Sequence, residues 1–168
     1  RYDHRGLRHT QTTPQGTTHS VYSEDRSLLA ELNAQGRITR QYLQLAGLPL
    51  AIWDSPEGLP TSPLGREPMA QLWADLQAVW RSWWGGPVPL TWLHLNHLEA
   101  PVLATNAQGR VVWQAHHRPN GVAEVTRADL PIHLLGPGQH TDAATGWVYN
   151  RQRYLDPALG QYLSPDPL

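Results

Sequence analysis

The chain has 168 residues, with 13 Lys and Arg against 14 Asp and Glu and a formal net charge of -1. That balance leaves no electrostatic footprint for nucleic acid or an anionic membrane surface. The absence of Cys excludes disulfides, thiolate catalysis and zinc–thiolate centres, and no apolar run is long enough for a membrane-spanning helix.

The first residues, Arg1-Tyr2-Asp3-His4-Arg5, lack the apolar stretch of a signal peptide. They also start without Met, which leads us to expect a piece cut from a longer polypeptide. From here a repeat sets in. Tyr2, Tyr22 and Tyr42 keep an even step, and Gly16 and Gly36 keep the same one. Asn33-Ala34-Gln35-Gly36-Arg37 returns later as Asn106-Ala107-Gln108-Gly109-Arg110, with Gln41 returning as Gln114. Recurrence at this length indicates one supersecondary unit used repeatedly, each copy burying a face on its neighbour. Polar-Gly turns between β-prone runs predict hairpins, with Gly36 and Gly109 supplying the positive φ of a reversal. Further loops are expected near Asp3–Gly6 and Pro14–Gly16.

Residues 55–65 are rich in Pro, Gly and Ser and read as a loop. The one predicted helix follows, over 67–84. Pro68 suits a first turn, and Glu67 lies near the positive end of the helix dipole. Leu72, Leu76, Val79, Trp80 and Trp83 share one side at helical spacing, and Gly85-Gly86-Pro87 stops the run. The helix could pack on its own sheet, plug a larger shell or lie on a membrane. Its polar face has few of the cations that interfacial helices carry.

Nine His invite a metal hypothesis. The closest pairs, His94/His97 and His116/His117, lack the three or four convergent ligands a usable site needs. His94-Leu95-Asn96-His97 reads as preceding a strand, where alternation splits the pair between faces. No metal or cofactor is therefore expected. Asp156 and Asp166, each followed by Pro, could share a proton as an acid–base pair. Each could equally start a turn, because Asp accepts backbone hydrogen bonds and Pro fixes φ. Trp53, Trp92 and Trp113 could stack on sugar rings or pack in a wall.

Tyr2-Asp3-His4-Arg5-Gly6 resembles the tyrosine–aspartate–glycine signature of Rhs/YD repeats, with Tyr22-Ser23-Glu24-Asp25-Arg26 as a copy that has lost both the Asp and the Gly. Near the end, Gly138-Gln139, Thr145-Gly146, Tyr149-Asn150-Arg151, Arg153-Tyr154, Asp156-Pro157, Gly160 and Asp166-Pro167 follow in the order of the Rhs repeat-associated core. The match is dense and spans some thirty residues. Upstream, His94–Pro101 is similar to another family segment, with Asn96, Glu99 and Ala100 as departures.

The resemblance implies a mainly β fold: an antiparallel YD-repeat hairpin sheet, part of a hollow cocoon, with the helix inserted. Four segments follow: repeat strands at 1–54, loop and helix at 55–92, repeat-like strands at 93–130 and the core motif at 131–168. It implies a structural shell around a C-terminal toxin used in competition between bacteria, rather than an enzyme. The implied partners are the rest of the shell, the toxin and the secretion machinery, with cell-surface glycans as an alternative and no nucleic acid. The implied location is secreted or at the bacterial surface. Many members carry an aspartic autoprotease in this core. Asp166 fits its first motif and would be half of a dyad, the second aspartate being absent from this chain.

Overall fold

The computed structural model describes residues 1–59, 90–118 and 122–166. These residues form strands and turns, with no helix among them. Nine strands make one sheet: β1 (Thr10–Thr13), β2 (Gly16–Tyr22), β3 (Leu28–Leu32), β4 (Ile38–Leu45), β5 (Leu48–Leu59), β6 (Leu90–Leu95), β7 (Pro101–Thr105), β8 (Val111–His117) and β9 (Ala123–Ala128). A five-stranded sheet follows: β10 (Leu134–Gly136), β11 (Gln139–Thr141), β12 (Val148–Asn150), β13 (Arg153–Asp156) and β14 (Gln161–Tyr162). In both sheets each strand pairs antiparallel with the next in sequence. The hairpin array expected from the repeat is the observed architecture.

One turn recurs through the array, and a single polar oxygen builds it. Asn33 Oδ1 accepts the Gln35 and Arg37 amides, both at 3.0 Å. Asn106 Oδ1 does the same for Gln108 and Arg110, again at 3.0 Å. Asp3 holds Arg5 and Leu7 at 2.9 and 2.8 Å, and Asn96 holds Leu98 and Ala100 at 2.9 and 3.0 Å. At Ser23 the hydroxyl takes the Ser27 amide at 3.0 Å. Such side chains offer the backbone a local partner and so nucleate reversals.

In every copy the amide of the fourth residue returns to the carbonyl of the first. That fourth residue is left-handed: Gly6, Gly36 and Gly109 at φ 74 to 75°, but Arg26 at 68° and Glu99 at 61°. The segment that had lost both motif residues, Ser23–Arg26, therefore keeps the turn, and so does Asn96–Glu99. His94 accordingly lies within strand β6, one residue before its end, and His97 lies in the turn after it, rather than both preceding a strand.

Strand β5 runs on to Leu59, past the expected start of the loop at 55. Its partner register jumps between Arg40↔Asp54 and Ile38↔Leu59, so the intervening β5 residues bulge opposite Thr39. A bulge tolerates Pro, which has no amide to give the ladder, and that reconciles Pro56 with a strand. The helix expected at 67–84 lies outside the described residues.

Register sorts the side chains into two faces. Tyr42 lies opposite Ile52, Leu93 opposite Ala104 and Ala104 opposite Trp113, and all five belong to the core with Leu28, Val112 and Ala115. Ile132, just before the second sheet, and Leu134 of its first strand join the same cluster. The five-stranded sheet thus packs on this inner face of the nine-stranded one. Trp113, 1% exposed, is the largest fully buried side chain among the described residues.

Candidate functional site

Where the two sheets meet, the N-terminal hairpin is clasped onto the C-terminal sheet through buried polar groups. The turn at Asp3–Gly6 reverses the chain so that Tyr2 bridges Arg8. Leu7, fully buried, anchors the return limb. Arg8 comes to lie against β12 and β13, and its guanidinium pairs with Asp142 in a short contact. The same Nη1 donates to Tyr154 Oη at 3.1 Å, and the Arg8 amide donates to Tyr149 Oη at 2.7 Å. Tyr22 Oη donates to the Arg8 carbonyl at 3.2 Å. The guanidinium also stands over the Tyr149 ring, 4.7 Å from its centre.

Asp142 has two tasks. It opens the turn between β11 and β12, with its Oδ1 accepting the Ala144 amide at 2.9 Å and the Gln11 side chain at 2.8 Å. Its Oδ2 meets Arg8. Burial pushes this carboxyl up, but the Gln11 and Ala144 hydrogen bonds and the Arg8 charge hold it below the usual carboxylate range. Burial raises the Tyr149 and Tyr154 hydroxyls, so both stay protonated. Around this pair, Gln152 Nε2 donates to the Arg5 carbonyl at 2.7 Å, and the Tyr2 and Tyr154 hydroxyls meet at 3.2 Å. The charges are matched and the hydroxyls engaged. Such a site holds segments together.

The core-motif residues mostly serve this clasp or its turns. Tyr149 and Tyr154 form its wall. Asn150 Nδ2 donates to Tyr162 Oη at 2.6 Å, and the Arg153 guanidinium lies 3.8 Å from the centre of the Tyr162 ring. Arg151 takes φ 55° in the tight β12–β13 turn, and its side chain covers Gly138, where a Cβ would sit 2.7 Å from Arg151 Nε. Gly146 is the left-handed residue of the Asp142 turn. Asp156 spends its Oδ1 on the Ala158 and Leu159 amides, and Gly160 closes that turn beside Pro157. Asp166, 74% exposed at its side chain, pairs with Arg153 at 3.3 Å. The two aspartates share no hydrogen bond, and Asp156 takes the turn-starting alternative. Pro167 lies outside the described residues.

The three tryptophans separate. Trp113 is core, because its strand register places it on the inner face, and no sugar reaches it. Trp53 and Trp92 lie on the outer face, opposite Leu90 and Ala51, with Trp92 39% exposed. Among the described residues no group of three or more His, Asp or Glu side chains could hold a metal ion. No described helix is long and apolar enough to cross a membrane.

Sequence reasoning missed Arg8, Gln11, His140 and Asp142. One signal was present: Asp142 stands just ahead of Gly146 as Asn33 stands ahead of Gly36, an oxygen-bearing residue followed by a left-handed glycine. Nothing local marks Arg8, whose partners lie far along the chain.

A meander of self-capping hairpins, locked to a second small sheet, defines an antiparallel β-repeat segment. No family model matches the chain. Among curated proteins, toxin protein Tse5 of Pseudomonas aeruginosa is 34% identical over 89 residues, 49% of this chain and 6% of Tse5. RhsA of Dickeya dadantii is 40% identical over 62 residues, 36% of this chain and 4% of RhsA. YibJ of Escherichia coli K12 is 34% identical over 79 residues, 45% of this chain and 33% of YibJ. The chain thus spans a third or less of these relatives. A solved Photorhabdus luminescens Tc holotoxin pore matches over 99% of the chain and 7% of its own, with TM-score 0.61 and 18% identity, a likeness of fold. The chain is an Rhs-type segment of the kind carried by bacterial polymorphic toxins.

Proposed function

We propose that this segment is part of the wall of an Rhs toxin shell, enclosing a C-terminal toxin domain until delivery to a competing cell. The observation that supports it most is the clasp, which fastens an early hairpin to a sheet some 140 positions later through Arg8 and Tyr149. A wall built this way resists fraying where a simple meander would not. The polar groups of the site bind one another rather than a substrate. Its partners are the remainder of the shell and the enclosed domain, and its destination is outside the producing cell. The test is protease protection of the downstream domain in the intact polypeptide. Protection that is lost on Arg8→Ala supports the wall. A downstream domain cleaved equally fast in both proteins overturns it.

A second reading is favoured by the outer face, where Trp53 and Trp92 are presented together and His94 bonds Thr105 at 3.0 Å beside them. The exposed Trp92 ring beside the half-buried Trp53, with polar groups at its flank, suits a sugar face. A glycan array comparing the natural protein with Trp92→Ala decides it: no hit that depends on Trp92 removes this reading.

A further inference from the structure

The clasp also buries a histidine where a proton is unwelcome. His140 on β11 is 8% exposed, with its ring 4.9 Å from that of Tyr149 and tilted against it. The charged groups around it come from several elements. Arg8 approaches from the N-terminal hairpin, His133 from the segment before β10, and Asp142 from the turn after β11. Glu31 of β3 lines the cavity of about 540 Å³ that reaches the ring, and already accepts the Tyr42 hydroxyl at 3.2 Å. A second cavity that touches His140 is lined by Tyr22, Tyr42, Asp25, Arg26 and Arg151, with the Asp25 carboxylate accepting the Ser23 and Ser27 hydroxyls. The carboxylate nearest the clasp, Asp142, is already paired with Arg8. A proton on His140 would therefore add a second cation beside Arg8, and the two would share Asp142.

We propose that the clasp is an acid-released latch, in which protonation of His140 drives the N-terminal hairpin off the C-terminal sheet. The latch does not depend on what the wall encloses. The cavity gives water a route to the ring, so the proton can arrive before the sheets part. Burial first, then Arg8 and His133, hold His140 down to about 3 while the clasp is closed. Once released, the imidazole returns to its ordinary value of about 6.5. The released state thus binds one more proton between those values, and closure weakens as pH falls below about 6.5. From about pH 7 to about pH 5 the closed-to-open ratio drops roughly 25-fold through this one group. His133, lowered chiefly by its own burial, pushes in the same direction.

The test is hydrogen exchange by mass spectrometry on the intact polypeptide at about pH 7 and about pH 5, with rates corrected for intrinsic exchange. Peptides carrying the Arg8 and Asp142–Tyr149 amides should lose roughly 25-fold protection at the lower pH, while the Asn96–Ala100 turn keeps its own. His140→Phe, which preserves the ring contact without the titration, should flatten most of that loss. Equal acid loss in natural and variant proteins overturns the latch, as does no loss in the natural protein. Histidine C2-hydrogen exchange on the natural protein supplies a readout that needs no variant. A His140 imidazole titrating at its ordinary value in the closed protein also overturns the proposal.

Discussion

In the nine-stranded sheet the recurring turns carry their own hydrogen bonds, as Asn33 and Asn106 show with the amides two and four residues ahead. In the five-stranded sheet the strands are only two to four residues long, and position comes from contacts such as Arg8 with Asp142, 134 residues apart. The first region is specified locally, one hairpin at a time. The second also has local caps, at Asp142 and Asp156, but it is held to the first by a polar contact between segments far apart in sequence. Damage should therefore stay local in one and spread in the other.

The largest effect is expected from Asp142→Ala. It leaves Arg8 buried without its counter-ion and removes the carboxylate that caps the β11–β12 turn. Breaking a buried pair by removing one partner costs about 3–5 kcal/mol. Denaturant unfolding should show that loss, with hydrogen-exchange protection falling across β10–β14 while the β7–β8 turn keeps its own. Because Asp142 sits below the usual carboxylate range in the folded chain, its stabilisation is present above about pH 4 and fades as pH falls through and below that value. The variant should therefore lack that part of the acid dependence. A loss confined to the β11–β12 turn would show that the clasp does not hold the second sheet.

This difference also governs what could be read from the amino acids. The hairpin array was legible because turn chemistry is local: Asn33-Ala34-Gln35-Gly36-Arg37 and its later copy announce themselves as a repeat. Ser23–Arg26 looks degenerate by residue identity but not by chemistry. A Ser hydroxyl can stand in for an Asp oxygen, and Arg can be held at a positive φ when the rest of the turn is made. Trp113 offered an aromatic ring without a face. Only the pairing of Ala104 with both Leu93 and Trp113 puts it inside, while Trp53 and Trp92 fall on the other side. Arg8 had no local signature at all. Its role is created by tertiary contact with β12, β13 and Asp142.

A smaller, local effect is expected from Asn106→Ala. The substitution removes the oxygen that accepts the Gln108 and Arg110 amides, leaving both donors to water at an exposed turn. Loss of a comparable cap costs about 1 kcal/mol. Exchange should quicken at Gln108 and Arg110 alone, with Arg8 and Asp142 still protected. Spread of the loss into β10–β14 would erase the distinction between the two regions.

The smallest effect runs the other way. Glu99 is exposed and held at φ 61°, in a turn otherwise identical in hydrogen bonding to those with Gly36 and Gly109. A non-Gly residue in this region carries backbone strain of order 1–3 kcal/mol. Glycine there removes the strain and costs part of the gain in unfolded-chain entropy. Glu99→Gly should thus stabilise the chain by about 0.5–1 kcal/mol, read as a higher denaturant midpoint with an unchanged slope. Because the gain belongs to one hairpin, it should add fully to the cost of Asp142→Ala in the double variant. A shortfall beyond about 0.5 kcal/mol would show that turn and clasp are coupled.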